Sequence, residues 1–70
     1  MRIYLITAGC LVDTGVCRWL VKAKSEREAW SKGYDIVINS PVADSGDMDC
    51  KRVTKPETVI TLIESGAKLV

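Results

Sequence analysis

Apolar and polar positions alternate along the first 24 residues and then recur at helical spacing, and this change of period divides the chain into elements. Ile3, Leu5 and Thr7 alternate with Arg2, Tyr4 and Ile6 in a stretch rich in β-formers, which predicts a first strand. Asp13-Thr14-Gly15 supplies turn chemistry, and glycine there can take the positive φ that other residues resist. Beyond the turn, Cys17, Trp19, Val21 and Ala23 alternate with Arg18, Leu20, Lys22 and Lys24, so the first 24 residues read as a β-hairpin. Gly9 within the first strand predicts a bulge or bend.

From Ser25 the period lengthens. Ser25-Glu26-Arg27-Glu28 has the form of a capping box, in which serine and glutamate each satisfy an amide that the first helical turn leaves open. Ala29, Trp30, Gly33, Tyr34, Val37 and Ile38 then form one stripe at helical spacing. Gly33 weakens a helix interior, so a helix stopping there and a strand from Tyr34 to Asn39 is the alternative; the pattern favours the long helix, ended by Asn39-Ser40-Pro41. Val42 to Asp47 reads as an exposed acidic loop and Met48 to Thr54 as a third strand. Thr54-Lys55-Pro56-Glu57 reads as a second capping box, followed by a helix that buries Val59, Ile60, Leu62 and Ile63 and stops at Gly66. Ala67 to Val70 is long enough for a short edge strand.

The order β-β-α-β-α(-β) predicts a single α+β domain over residues 1–70: a two-layer sandwich with both helices on one face of an antiparallel three- or four-stranded sheet. In this arrangement Ile3, Leu5, Cys17, Trp19, Val21 and Val53 face the helices and meet Trp30, Tyr34, Val37, Ile60 and Ile63. The opposite face would display Arg2, Tyr4, Ile6, Arg18, Leu20, Lys22 and Arg52, a cationic surface with an aromatic and aliphatic centre.

Composition narrows the chemistry. Seventy residues with 47% hydrophobic and 27% charged side chains suit a folded domain near the small end of the range. Histidine is absent, which removes the commonest general base and zinc ligand; the cysteines form no C-x-x-C pair, and the glycines form no phosphate-cradling motif. The expectation is therefore a chain that is not an enzyme and uses no cofactor or metal. Asp44, Asp47 and Asp49 cluster, but the glycine and closing glutamate of a calcium loop are missing. Three cysteines, Cys10, Cys17 and Cys50, are an odd number and fit reduced thiols in a cytoplasm; one hairpin register would set Cys10 against Cys17.

The net charge of +1 is unevenly spread. Residues 18 to 32 carry five basic and two acidic side chains, residues 35 to 49 four aspartates and no cation, and residues 51 to 57 three basic and one acidic. Such segregation orients charged partners. The candidate partner-binding residues are Arg2, Tyr4, Arg18, Leu20, Lys22 and Arg52 on the sheet, with Asp44, Asp47 and Asp49 as an acidic loop that could imitate phosphates. No segment approaches the ~20 apolar residues of a membrane span. Arg2 and the run up to Thr7-Ala8-Gly9-Cys10 resemble a lipoprotein signal, yet the six apolar residues Ile3 to Ala8 are fewer than the ~7 to 15 of an export segment.

One further pattern carries a resemblance. A strand running into Ala23-Lys24-Ser25-Glu26-Arg27-Glu28-Ala29, then a helix and a strand ending Lys51-Arg52-Val53, resembles short phage and mobile-element proteins of the anti-CRISPR type over residues 16 to 54. The resemblance implies a non-catalytic inhibitor that binds a host protein or ribonucleoprotein complex and blocks its working surface; no functional residue carries over with it. A homodimer is a second form of protein partner, and a small nucleic-acid-binding protein using the cationic sheet face is the alternative function.

Overall fold

Strand β1 (Arg2–Cys10) takes the middle of the sheet and is flanked on both sides by antiparallel partners, β2 (Val16–Ala23) and β3 (Ala43–Val53). In the computed structural model, which describes residues 1–12 and 14–70, β2 leads into helix α1 (Glu26–Ile38) and β3 into helix α2 (Pro56–Glu64). A two-residue strand, β4 (Lys68–Leu69), closes the order β3-β1-β2-β4. The domain is α+β, as the sequence implies. The sheet is mixed rather than antiparallel, because β4 runs parallel to β2.

Local sequence accounts for most element ends. The Ser25 hydroxyl accepts the Glu28 N–H at 3.2 Å and caps α1, and the long form of that helix is the one adopted. Gly66 takes φ 107°, a left-handed value that suits glycine, just past α2. The second capping box does not form. Lys55 occupies the cap position without a side-chain bond, and Pro56 supplies the fixed φ of the first turn. Asp13 of the expected hairpin turn lies outside the described residues. The Cys10 N–H reaches the Gly15 carbonyl at 3.2 Å across the turn.

The two helices lie on opposite faces, which corrects the one-sided arrangement. Tyr4, Ile6, Ala8, Trp19, Val21 and Cys50 pack with Ala29 and Val37 of α1. On the other face Arg18 reaches Ser65 at the end of α2, and Leu5 and Lys51 share a cleft with Thr58 and Leu62. The topology explains why. The β2-α1-β3 crossover moves past β1 in one direction, and β3-α2-β4 returns in the other. Two parallel crossovers of the same hand, travelling in opposite directions, must use opposite faces.

Consequently the sides of β1 are exchanged relative to the expectation. Tyr4 (2% exposed) and Ile6 (0%) are core residues under α1, whereas Ile3 and Leu5 pair with Val53 and Lys51 on the α2 face. Four consecutive apolar residues, Ile3 to Ile6, are the mark of a strand covered on both sides, where alternation no longer identifies the inner face. The same holds for Trp19-Leu20-Val21, all buried. Ile6, Leu20 and Val37 are the largest fully buried side chains, each contributing about 1.5–3 kcal/mol of hydrophobic stabilisation.

Strand β3 begins earlier than expected, so residues 43–47 belong to the strand and not to a free acidic loop. The register with β1 jumps between Ala8, which pairs with Met48, and Gly9, which pairs with Asp44. Ser45, Gly46 and Asp47 form the resulting bulge. Gly9 makes room for it: a Cβ there would stand 2.6 Å from Asp47 Oδ2. Cys17 pairs with Ala8, so the register that would set it opposite Cys10 is not adopted.

Candidate functional site

The expected binding residues do not converge on one surface. Tyr4 and Leu20, the apolar centre of the supposed open face, are buried on opposite sides of the sheet, and that face does not exist as drawn. Ile6 is buried with Tyr4. Arg18 is half-buried and committed within the molecule, donating from Nη2 to the Ser65 carbonyl at 2.8 Å and from Nη1 to the Ser65 hydroxyl at 3.4 Å. Lys22 is exposed four residues further along β2. Arg2 donates to the Lys24 carbonyl at 3.3 Å, and Arg52 stands exposed near the end of β3. Asp44, Asp47 and Asp49 are strung along β3 and are not gathered in a loop.

The acidic side chains are used locally. Asp44 Oδ1 accepts the Gly46 N–H at 2.9 Å and shapes the bulge, while Asp49 Oδ1 accepts the Cys50 N–H at 2.9 Å. Among the described residues no group of three potential metal ligands comes together. Burial raises the pKa of the Cys50 thiol, with the nearby charges of Glu26 and Asp49 adding to the effect, so this sulfur is held as the weakly reactive thiol.

A different surface emerges on α1. Trp30, Tyr34 and Ile38 follow one another at intervals of four residues and are 38%, 51% and 50% exposed, which corrects the placement of Trp30 and Tyr34 in the core. Their exposure follows from which side of α1 meets the sheet. Ala29, Gly33 and Val37 point inward, and Gly33 lets the helix approach closely, since a Cβ there would stand 2.7 Å from Ile6 Cδ1 and 2.9 Å from Met48 Cε. Lys32 fixes one flank: its ammonium donates to the Lys22 carbonyl of β2 at 2.7 Å and pairs with Glu28 at 3.1 Å. That ion pair holds the Glu28 carboxyl below its ordinary pKa. Trp30, about 200° around the helix from Lys32, stands on the other flank, toward β3.

This flank adjoins the long free edge of the sheet. β3 has β1 on one side only, and its eleven residues contrast with the two of β4 on the opposite edge. An aromatic helix stripe beside an open strand edge offers apolar contacts and backbone hydrogen bonds together. The spacing of Trp30, Tyr34 and Ile38 was visible in the sequence. Their outward direction was not, because it depends on the glycine at position 33 bringing the neighbouring face of α1 onto the sheet.

Other apolar side chains are exposed singly or in small groups. Leu11, Val12 and Val16 stand at the hairpin end, and Ile60 and Ile63 lie on the outer side of α2, contrary to their expected burial. Val59 and Leu62 are half-buried and form the inner side of that helix. No helix is long and apolar enough to cross a membrane among the described residues. No family model matches the chain, and no curated protein or solved structure matches it.

Proposed function

We propose that this chain is a non-catalytic protein-interaction module whose working surface is the outer stripe of α1 together with the adjoining edge of β3. The observation that carries this reading is the contiguous exposure of Trp30, Tyr34 and Ile38 beside an open strand. Tryptophan and tyrosine supply much of the binding energy at protein interfaces, and an apolar stripe at helical spacing suits a groove or a second helix. Nucleic acid suits this surface less well, because Asp44, Asp47 and Asp49 stand on the neighbouring strand and repel phosphates. The sharper form of the reading, a phage-encoded inhibitor covering a surface of a host complex, rests on the resemblance of residues 16 to 54.

The test uses the outer stripe. Tyr34→Glu combined with Ile38→Glu places charge on the exposed side of α1, away from Ala29, Gly33 and Val37, and the variant is expected to keep its fold by circular dichroism. Its capture of partner proteins from a lysate is expected to fall at least about tenfold, the loss of a modest hot spot. Undiminished capture by the folded variant, or tight and steeply salt-dependent binding of random DNA or RNA, would overturn the proposal.

A further inference from the structure

The open edge of β3 has a defined hydrogen-bonding parity. The Cys10 amide points toward β2, so alternation along β1 turns the amides of Leu5 and Thr7 toward β3. Thr7 pairs with Asp49 and Leu5 with Lys51, so the backbone groups of these two β3 residues complete that ladder. The amides and carbonyls of Met48, Cys50 and Arg52 therefore point away from the sheet. The bond from the Cys50 N–H to its neighbour Asp49 Oδ1 agrees with this direction. Any strand that extends the sheet here must bond to these even-numbered positions.

Charge selects which strand fits. The first part of β3 carries Asp44, Asp47 and Asp49, and the last part carries Lys51 and Arg52. A second β3 laid antiparallel reverses that order and sets anions against cations. Among registers that use the even-numbered backbone groups, the one centred on Cys50 places Asp49 opposite Lys51 of the other copy, twice over. Shifting the centre by one residue sets Asp49 against Asp49, or Lys51 against Lys51. Opposed like charges on adjacent strands destabilise the pairing, whereas opposite charges support it.

We propose that the partner of this edge is a second copy of the chain, joined β3 to β3 about a twofold axis at Cys50, so that two four-stranded sheets become one of eight strands. Asp49 then releases the Cys50 amide to the Cys50 carbonyl across the axis and turns its carboxylate to Lys51. The α1 flanks that carry Trp30 and Tyr34 come to the same side of the joint, where each helps to cover the other. The contact is isologous, so it closes at two copies and does not propagate. This inference rests on the reading of α1 and β3 as the binding surface and names its occupant.

Sedimentation velocity on the wild-type chain, Asp49→Lys, Lys51→Asp and an equimolar mixture of the two variants tests it. The wild type is expected to dimerise with rising concentration. Each variant alone is expected to weaken the dimer by about tenfold or more, since two ion pairs become two repulsions. The mixture, in which every opposed pair is again of opposite sign, is expected to recover the wild-type affinity as a heterodimer. Amide exchange at Met48 and Cys50 is expected to slow in the dimer. A wild type that stays monomeric, a dimer indifferent to either charge reversal, or a mixture that does not recover would overturn the inference. If the wild type is monomeric yet captures proteins in a way lost with Tyr34→Glu and Ile38→Glu, only the second copy is wrong. A chain that neither self-associates nor captures any protein sinks the broader reading as well.

Discussion

Gly33 shows how one position can serve a local cost and a tertiary gain at once. In an exposed helix, replacing glycine by alanine adds about 1 kcal/mol of stability. Here the added methyl would meet Ile6 Cδ1 at 2.7 Å and both Ile6 Cγ1 and Met48 Cε at 2.9 Å, and Ile6 is fully buried, so these side chains must shift to admit it. Overpacking of this kind costs about 1–3 kcal/mol, which exceeds the gain in helix propensity. Gly33→Ala is therefore expected to lower stability by about 1 kcal/mol, read as a lower midpoint in urea; a higher midpoint would show that α1 can lift from the sheet without penalty. The same close approach decides that Trp30 and Tyr34 point outward, which links a missing side chain to the surface available for contact.

The two helices are anchored unequally. α1 has a side-chain cap, three buried residues and the Lys32 bridge to β2, whereas α2 has no side-chain cap and no fully buried residue. A cleft of about 440 Å³, lined by Ile3, Val53, Val59 and Ile60 among others, opens between the sheet and the first turns of α2. Arg18 tethers the other end through Ser65. Arg18→Ala is expected to speed amide exchange along α2 while leaving α1 unchanged, with a global loss of about 1 kcal/mol or less because the bond is partly solvated. Equal acceleration in both helices would mean that they open as one unit. Much of this level was legible in the sequence: Ser25-Glu26-Arg27-Glu28 marked the start of α1, Asn39-Ser40-Pro41 its end, and Gly66 the stop of α2. The face assignments were not legible by alternation, since Ile3 to Ile6 and Trp19 to Val21 are apolar on both sides. Those runs held the missed signal, because a strand needs two apolar sides only when both are covered. Thr54-Lys55-Pro56-Glu57 misled for another reason: the helix begins at Pro56, one residue too late for Thr54 to reach the first amides.

At the scale of the whole molecule, the candidate surface could not be read from charge runs. Arg18 and Lys22 lie on the α2 side, Arg2 and Arg52 near one end of the α1 side, and the aspartates along an edge, so linear proximity of like charges did not become a patch. The arrangement of strands has a further consequence for assembly. The central strand is the first in the chain, and its second neighbour arrives only with residues 43–53; Ile3 pairs with Val53 across fifty positions. A fragment ending at Pro41 contains the hairpin and α1 yet lacks Met48 and Cys50, and it is expected to lose the near-ultraviolet dichroism of a packed Trp19. A fragment ending at Thr54 retains the contacts of the α1 face and is expected to keep part of that signal; equal spectra for the two would place the organising core elsewhere. During synthesis, then, β1 precedes its second strand partner β3, and Ile3 and Leu5 precede their cover in α2, so slow non-local pairing leaves them open to misassociation meanwhile. A gene slowed at the codons for residues 43–53 is expected to yield less soluble chain than one slowed within the hairpin, and equal yields would remove this consequence.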